Sequence, residues 1–206
     1  MHDVNQSATI EAPSLRERQA AERRAAIAHA ARRLTAERGL SGFTVEELCE
    51  QVGISRRTFF NYFASKEHAL IGRPDEGLDG QAARDFVDKT SGRPLLDDLI
   101  TIGTAHFAAI GLTPESANEF QAIVEREPKL LTALMAIGSE RDRILTALIA
   151  EREGLDPTDP SIPLAIHLTG AVMRTAMTTF LSGSDDTPLD QLSHDRLALA
   201  RRLLNL

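Results

Sequence analysis

The chain has 206 residues, of which 42% are apolar and 26% charged, and its formal net charge is −7. That length and apolar share can bury a core in one or two domains, and they exclude a disordered or fibrous chain. A single cysteine, Cys49, excludes an intramolecular disulfide, so a reducing, cytoplasmic location is expected.

Taken in order, residues 1–13 (MHDVNQSATIEAP) lack the basic start and apolar centre of a signal peptide and are expected to be a disordered tail. A first helix is predicted from about Ser14 to Arg38, with Ile27, Ala31 and Leu34 as its core stripe. Thr44 can cap a second helix, whose Val45, Leu48, Cys49 and Val52 share one face. Gly53 follows, where a helix that ends in a left-handed residue wants glycine. Ser55 can cap a third helix, Arg56 to Tyr62. Ser65 can cap a fourth, which runs to about Ile71 before Arg73-Pro74 interrupts it.

The later segments also have helical period, and none shows sustained strand alternation. Helices are predicted over Asp75 to Asp88, Leu95 to Ile110 and Pro114 to Glu127. Pro128 is expected to break or kink the path, with a helix resuming from Lys129 to about Arg152. Gly154 to Pro163 reads as a loop, and two last helices follow at about Pro163–Leu181 and Leu189–Leu204. Pro160 to Ser184 holds one formal charge, Arg174, but its prolines, Gly170, His167 and threonines argue against a membrane span. A helix covered between subunits is the expectation. The fold class is therefore all-α, with nine or ten helices.

Within this pattern the order Thr44, Leu48, Gly53-Ile54-Ser55, Thr58-Phe59-Phe60, Tyr62-Phe63, Ser65-Lys66-Glu67, Leu70 resembles the DNA-binding domain of TetR-family transcriptional regulators. The resemblance reaches back through the first helix to its ending, Ala36-Glu37-Arg38-Gly39-Leu40. It implies a helix-turn-helix domain over residues 14–72 and a ligand-binding and dimerisation domain over residues 73–206. Two short helices joined by a tight turn can seat the second in a major groove.

Eight residues are candidates for DNA contact. Arg56, Arg57 and Thr58 open the recognition helix; arginine can pair with guanine and threonine can touch a thymine methyl. Asn61 shares their exposed face, and Ser55 caps the helix at its start. Tyr62 and Lys66 look like phosphate clamps, and Thr44 can offer its hydroxyl to a phosphate. Lysine in the first turn of a helix opposes the helix dipole, a local conflict that often marks function. Phe60 stands where the family usually has tyrosine, which removes one expected phosphate hydrogen bond. Phe59, Phe63 and Cys49 read as core. Arg16, Arg18, Arg23 and Arg24 read equally as an arm along the DNA backbone or a solvated face. Residues 1–73 carry 11 Lys+Arg against 9 Asp+Glu, a net +2, while the remainder is net −9. That asymmetry lets an acidic protein present one positive face.

The resemblance also implies a small-molecule pocket in the second domain. On apolar faces the candidates are Phe86, Phe107, Ile110, Phe120, Ile123 and Val124, with the adaptable Met135, Met173 and Met177. His106, His167 and Arg174 are polar residues on otherwise apolar helices, and each needs a partner. No cofactor or metal is expected, because no HxxxH, CxxC or acidic ligand spacing occurs. Enzyme signatures such as GxSxG or a Gly-rich phosphate loop are missing too, so the chain is not expected to be an enzyme. The reading is a homodimeric repressor, paired through its two C-terminal helices, that a small molecule releases from a palindromic operator. An activator, or a helical small-molecule binding protein with weak or altered DNA binding, is the alternative.

Overall fold

The computed structural model describes residues 15–75, 77–78, 80–109, 111, 113, 123–124, 126–183 and 186–204. Among these the chain forms nine helices and no strand. They are α1 (Leu15–Arg38), α2 (Val45–Val52), α3 (Arg56–Tyr62), α4 (Lys66–Ile71), α5 (Gly80–Val87), α6 (Leu95–Ala109), α7 (Pro128–Glu153), α8 (Ser161–Leu181) and α9 (Leu189–Leu204). The tail over 1–13 and the helix predicted from Pro114 lie outside the described residues, although Ile123, Val124 and Arg126 are helical.

Local sequence explains the first four helices. Thr44 caps α2 in a reciprocal box: its hydroxyl accepts from the Glu47 N–H at 3.2 Å, and its own N–H donates to Glu47 Oε2 at 2.7 Å. Those hydrogen bonds from Thr44 hold the Glu47 carboxyl below its ordinary pKa. Gly53 ends α2 at φ +70°, a conformation that costs other residues a steric clash. Ser55 and Ser65 cap α3 and α4 by accepting from Thr58 N and His68 N at 3.0 and 3.3 Å.

Three of the other predicted boundaries move. The acidic helix starts at Gly80 instead of Asp75; Gly77, at φ +76°, is left-handed and cannot belong to an α-helix. Pro128 does not kink a helix; it opens α7 at the first turn, where its missing N–H costs nothing. Pro163 likewise falls inside the first turn of α8, which therefore begins two residues earlier, at Ser161.

The buried residues form one core beneath α1–α4 and two in the body. The first gathers Ile27, Ala31, Leu34, Leu48, Cys49, Phe59 and Phe63, as the sequence predicts. It also takes in Ile123, Leu130 and Ile137, which lie beyond the predicted boundary at residue 72. Head and body thus share buried surface. Glu127 adds a polar tie: Oε1 accepts from Leu40 N at 2.9 Å. Gly39, at φ +74°, leaves room for that carboxylate, since a Cβ there would stand 2.8 Å from Oε1.

The second core joins α5–α8 around Leu99, Ile149 and Ile162. The third joins the ends of α8 and α9 through Ala176, Leu189 and Leu192. An ion pair fastens α9 to α6: Arg201 Nη1 and Nη2 lie 3.2 and 2.5 Å from the two Asp97 oxygens. The aspartate is in the first turn of its helix and the arginine in the last turn of its own, so both dipoles favour the pair. Hydrogen bonding from Arg201 holds the Asp97 carboxyl below its ordinary value. A depressed carboxylate pKa stabilises above the unfolded value and loses that contribution as pH falls through the folded one. The wild type should therefore exceed Asp97→Asn in stability at pH 6, with the gap closing below about pH 4. Urea unfolding of both proteins at several pH values checks this; a gap that stays constant down to pH 2 contradicts it.

Candidate nucleic-acid interface and ligand cavity

The capped turn between α2 and α3 presents one side of α3 outward. Phe59 is fully buried and holds the helix against the head core, while Ser55, Arg56, Arg57, Phe60 and Asn61 are exposed. Thr58 and Tyr62 are half-buried; Thr58 Oγ1 shares a hydrogen bond with Ser55 at 2.8 Å, and Tyr62 packs against the core. Thr44 is exposed at the start of α2.

The two arginines differ. Arg56 Nη1 lies 2.5 Å from Glu46 Oε1 on α2, and its guanidinium sits 5.7 Å from the Phe60 ring centroid. The Arg57 side chain makes no hydrogen bond or ion pair with any described residue. A guanidinium meant for a base edge needs that freedom. Phe60 is 48% exposed, an apolar ring beneath Arg56 in place of a phosphate-binding hydroxyl.

Lys66 does not point its ammonium outward as a phosphate clamp would. Nζ donates to the carbonyls of Leu40 and Phe43, both at 2.6 Å, and lies 4.5 Å from the Phe43 ring centroid. The conflict with the α4 dipole is settled by these carbonyls, which follow the end of α1. Cys49 is buried, and burial raises its thiol pKa, which removes the thiolate a redox sensor needs.

In the body, α6, α7 and α8 line a half-open cavity of about 580 Å³. Its wall is chiefly Leu99, Ile102 and Phe107 from α6, Leu145 from α7, and Ile166, Met173, Met177 and Leu181 from α8. The polar lining residues are His106, Arg141, Asp142, Thr169, Arg174 and Thr178. Gly103 admits the Met173 thioether, whose sulfur would stand 2.2 Å from a Cβ added there. A volume of this size and lining fits a drug-sized molecule.

Five predicted pocket residues meet here: His106, Phe107, Met173, Arg174 and Met177. Four others do not. Ile123 is buried in the head core, and Val124 beside it lines no part of the cavity, because this stretch runs along the head. Met135 is 68% exposed on the opposite part of α7, and His167 is exposed beside Leu164 and Leu168. Ile110 and Phe120 lie outside the described residues. Phe86 is buried in the second core. Sequence reasoning missed Arg141, which belongs to a helix dense in surface charge (Glu140-Arg141-Asp142-Arg143) and carries no local mark of its inward position.

Among the described residues no helix is long and apolar enough to cross a membrane, and no cluster of three metal-ligating side chains occurs. The model of the bacterial regulatory proteins of the tetR family matches residues 27–70, and that of the MftR C-terminal domain matches residues 115–204. A relative, the HTH-type transcriptional regulator TcmR of Streptomyces glaucescens, is 28% identical over 165 residues, which are 75% of this chain and 71% of TcmR. A crystal structure from Mesorhizobium loti, assigned to the TetR-family transcriptional regulators, covers 88% of this chain and 98% of its own at 19% identity and a TM-score of 0.40. The two family matches cover the reading head and most of the body, and the head has the capped helix-turn-helix those matches imply. The chain belongs to the TetR family of transcriptional regulators.

Proposed function

We propose that this regulator is a homodimeric repressor that leaves a palindromic operator when a small molecule fills the α6–α8 cavity. The observation that carries the reading is the cavity itself, walled in part by α7, the helix that also lends Leu130 and Ile137 to the core of the DNA-reading head. A ligand that prefers one body geometry would bias the head through that helix. A regulator that reads chromosomal DNA works in the cytoplasm, which agrees with a single, buried, free cysteine.

The two terminal helices support pairing. Leu164 and Leu168 on α8 and Leu199 and Leu203 on α9 are large exposed apolar residues at spacings of four, and α8 packs on α9. A second copy related by a two-fold axis would cover these stripes and form a four-helix interface. Each protomer would then place its α3 in one of two successive major grooves. On this reading residues 14–72 act as the reading unit and residues 73–206 as the sensing and pairing unit.

The test uses an operator recovered by selection from random duplexes. Arg57→Ala should weaken binding by about 1–3 kcal/mol and relax base preference, while the dimer persists. The paired change Leu164→Glu with Leu168→Glu should yield monomers by light scattering and remove operator binding. A dimeric double variant, or an Arg57→Ala protein with unchanged affinity, contradicts the proposed geometry. If no duplex is enriched at all, the reading moves to a helical small-molecule binding protein. A reporter carrying the operator then separates repression from activation by its sign.

A further inference from the structure

We infer that the cavity takes an apolar molecule with an anionic end, and that Arg141 anchors that end. The inference rests on reading the cavity as the effector site. Most of the wall is hydrocarbon and thioether, which selects an apolar body. The formal charges on the lining are two arginines, Arg141 from α7 and Arg174 from α8, against one exposed aspartate, Asp142. The balance is positive. Arg174 is exposed and makes no side-chain hydrogen bond or ion pair with a described residue, so it can greet an anion. Arg141 is half-buried, which makes its charge the less screened of the two.

Two of the contacts of Arg141 are to neutral atoms, and Asp75 in the same segment attracts its charge; an incoming anion competes with all of these. Nη1 lies 3.0 Å from the Pro74 carbonyl and 3.4 Å from Nδ1 of His106, itself buried on the cavity wall. A guanidinium binds a carboxylate or sulfonate through two parallel N–H bonds, which are stronger than a bond to a neutral carbonyl. Pro74 belongs to the segment that leaves α4 of the reading head, and Arg73 in that segment is hydrogen-bonded to Asp75. An anion that draws Arg141 into the cavity therefore loosens its hold on the chain just behind the head. One side chain serves as anchor and relay.

The test uses two fluorescent probes with the same aromatic body, anilinonaphthalene sulfonate and the uncharged phenylnaphthylamine. The chain has no tryptophan, so the background is low. The wild-type protein should bind one sulfonate per chain at least about tenfold more tightly than the amine. Arg141→Met should abolish that preference and leave amine affinity within about twofold, and Arg141→Lys should restore part of it. In the wild type, hydrogen exchange over residues 72–78 should quicken with the sulfonate and not with the amine. Equal affinities in the wild type, a preference that survives Arg141→Met, or one that Arg174→Met removes instead would overturn the anchor. Unchanged exchange would overturn the relay. Failure of both probes to bind the wild type would overturn the effector-site reading itself.

Discussion

Arg152→Ala should lower the unfolding free energy by about 3 kcal/mol, the low end for removing one half of a buried ion pair, because Asp98 keeps Arg93 as a partner. Arg152 lies in the last turn of α7 and is 6% exposed. Its Nη2 is 2.8 Å from Asp98 Oδ2 and donates to the Arg93 carbonyl at 3.1 Å, and Nη1 donates to the Phe86 carbonyl. The guanidinium also lies 4.6 Å from the Phe86 ring centroid. Asp98, equally buried, accepts from Ser91 Oγ at 2.7 Å and pairs with Arg93 Nε at 3.0 Å. Four segments of the body meet at this one side chain. Arg152→Lys should rescue little, because an ammonium cannot reproduce the planar fork. Urea unfolding at one protein concentration measures the loss, since the stability of the proposed dimer would depend on concentration. A loss below about 1 kcal/mol would mean that the interior repacks or hydrates around Asp98.

Lys66→Ala separates a structural lysine from a phosphate clamp. Its two bonds to the Leu40 and Phe43 carbonyls are charge-assisted, so their loss should cost about 3 kcal/mol. The turn after α1 and the start of α4 would lose their tie, and operator affinity would fall because the head loosens. A clamp behaves differently. It would leave stability unchanged and reduce the slope of log affinity against log salt by about one. Thermal unfolding and a salt series on the same variant give both readouts. A stable Lys66→Ala protein with a flattened salt slope would return the residue to the DNA.

The contrast between Thr44 and Lys66 shows what a sequence reveals. Thr44, Gly53, Ser55 and Ser65 act within three or four residues of themselves, through caps and left-handed turns, and each structural role was legible. The Lys66 conflict with its helix dipole was legible too, but the carbonyls that resolve it lie 23 and 26 residues away. The same holds for Glu127, whose partner Leu40 is 87 residues distant, and for Arg141, whose tie to Pro74 spans 67. Helical period identified apolar faces without saying what each one covers. Met173 and Met177 reach the cavity, whereas Met135 on an equally plausible face meets solvent.

The buried surface shared across residue 72 limits how this regulator can be rebuilt. Biosensor designs often splice the DNA-reading segment of one protein onto the sensing segment of another. A cut at residue 72 here would leave Ile27, Leu34 and Phe59 without Leu130 and Ile137, and Leu40 N without the Glu127 carboxylate. A graft that keeps the head packed has to carry Ile123, Glu127 and the first three turns of α7 with it, so the portable unit is discontinuous in the chain.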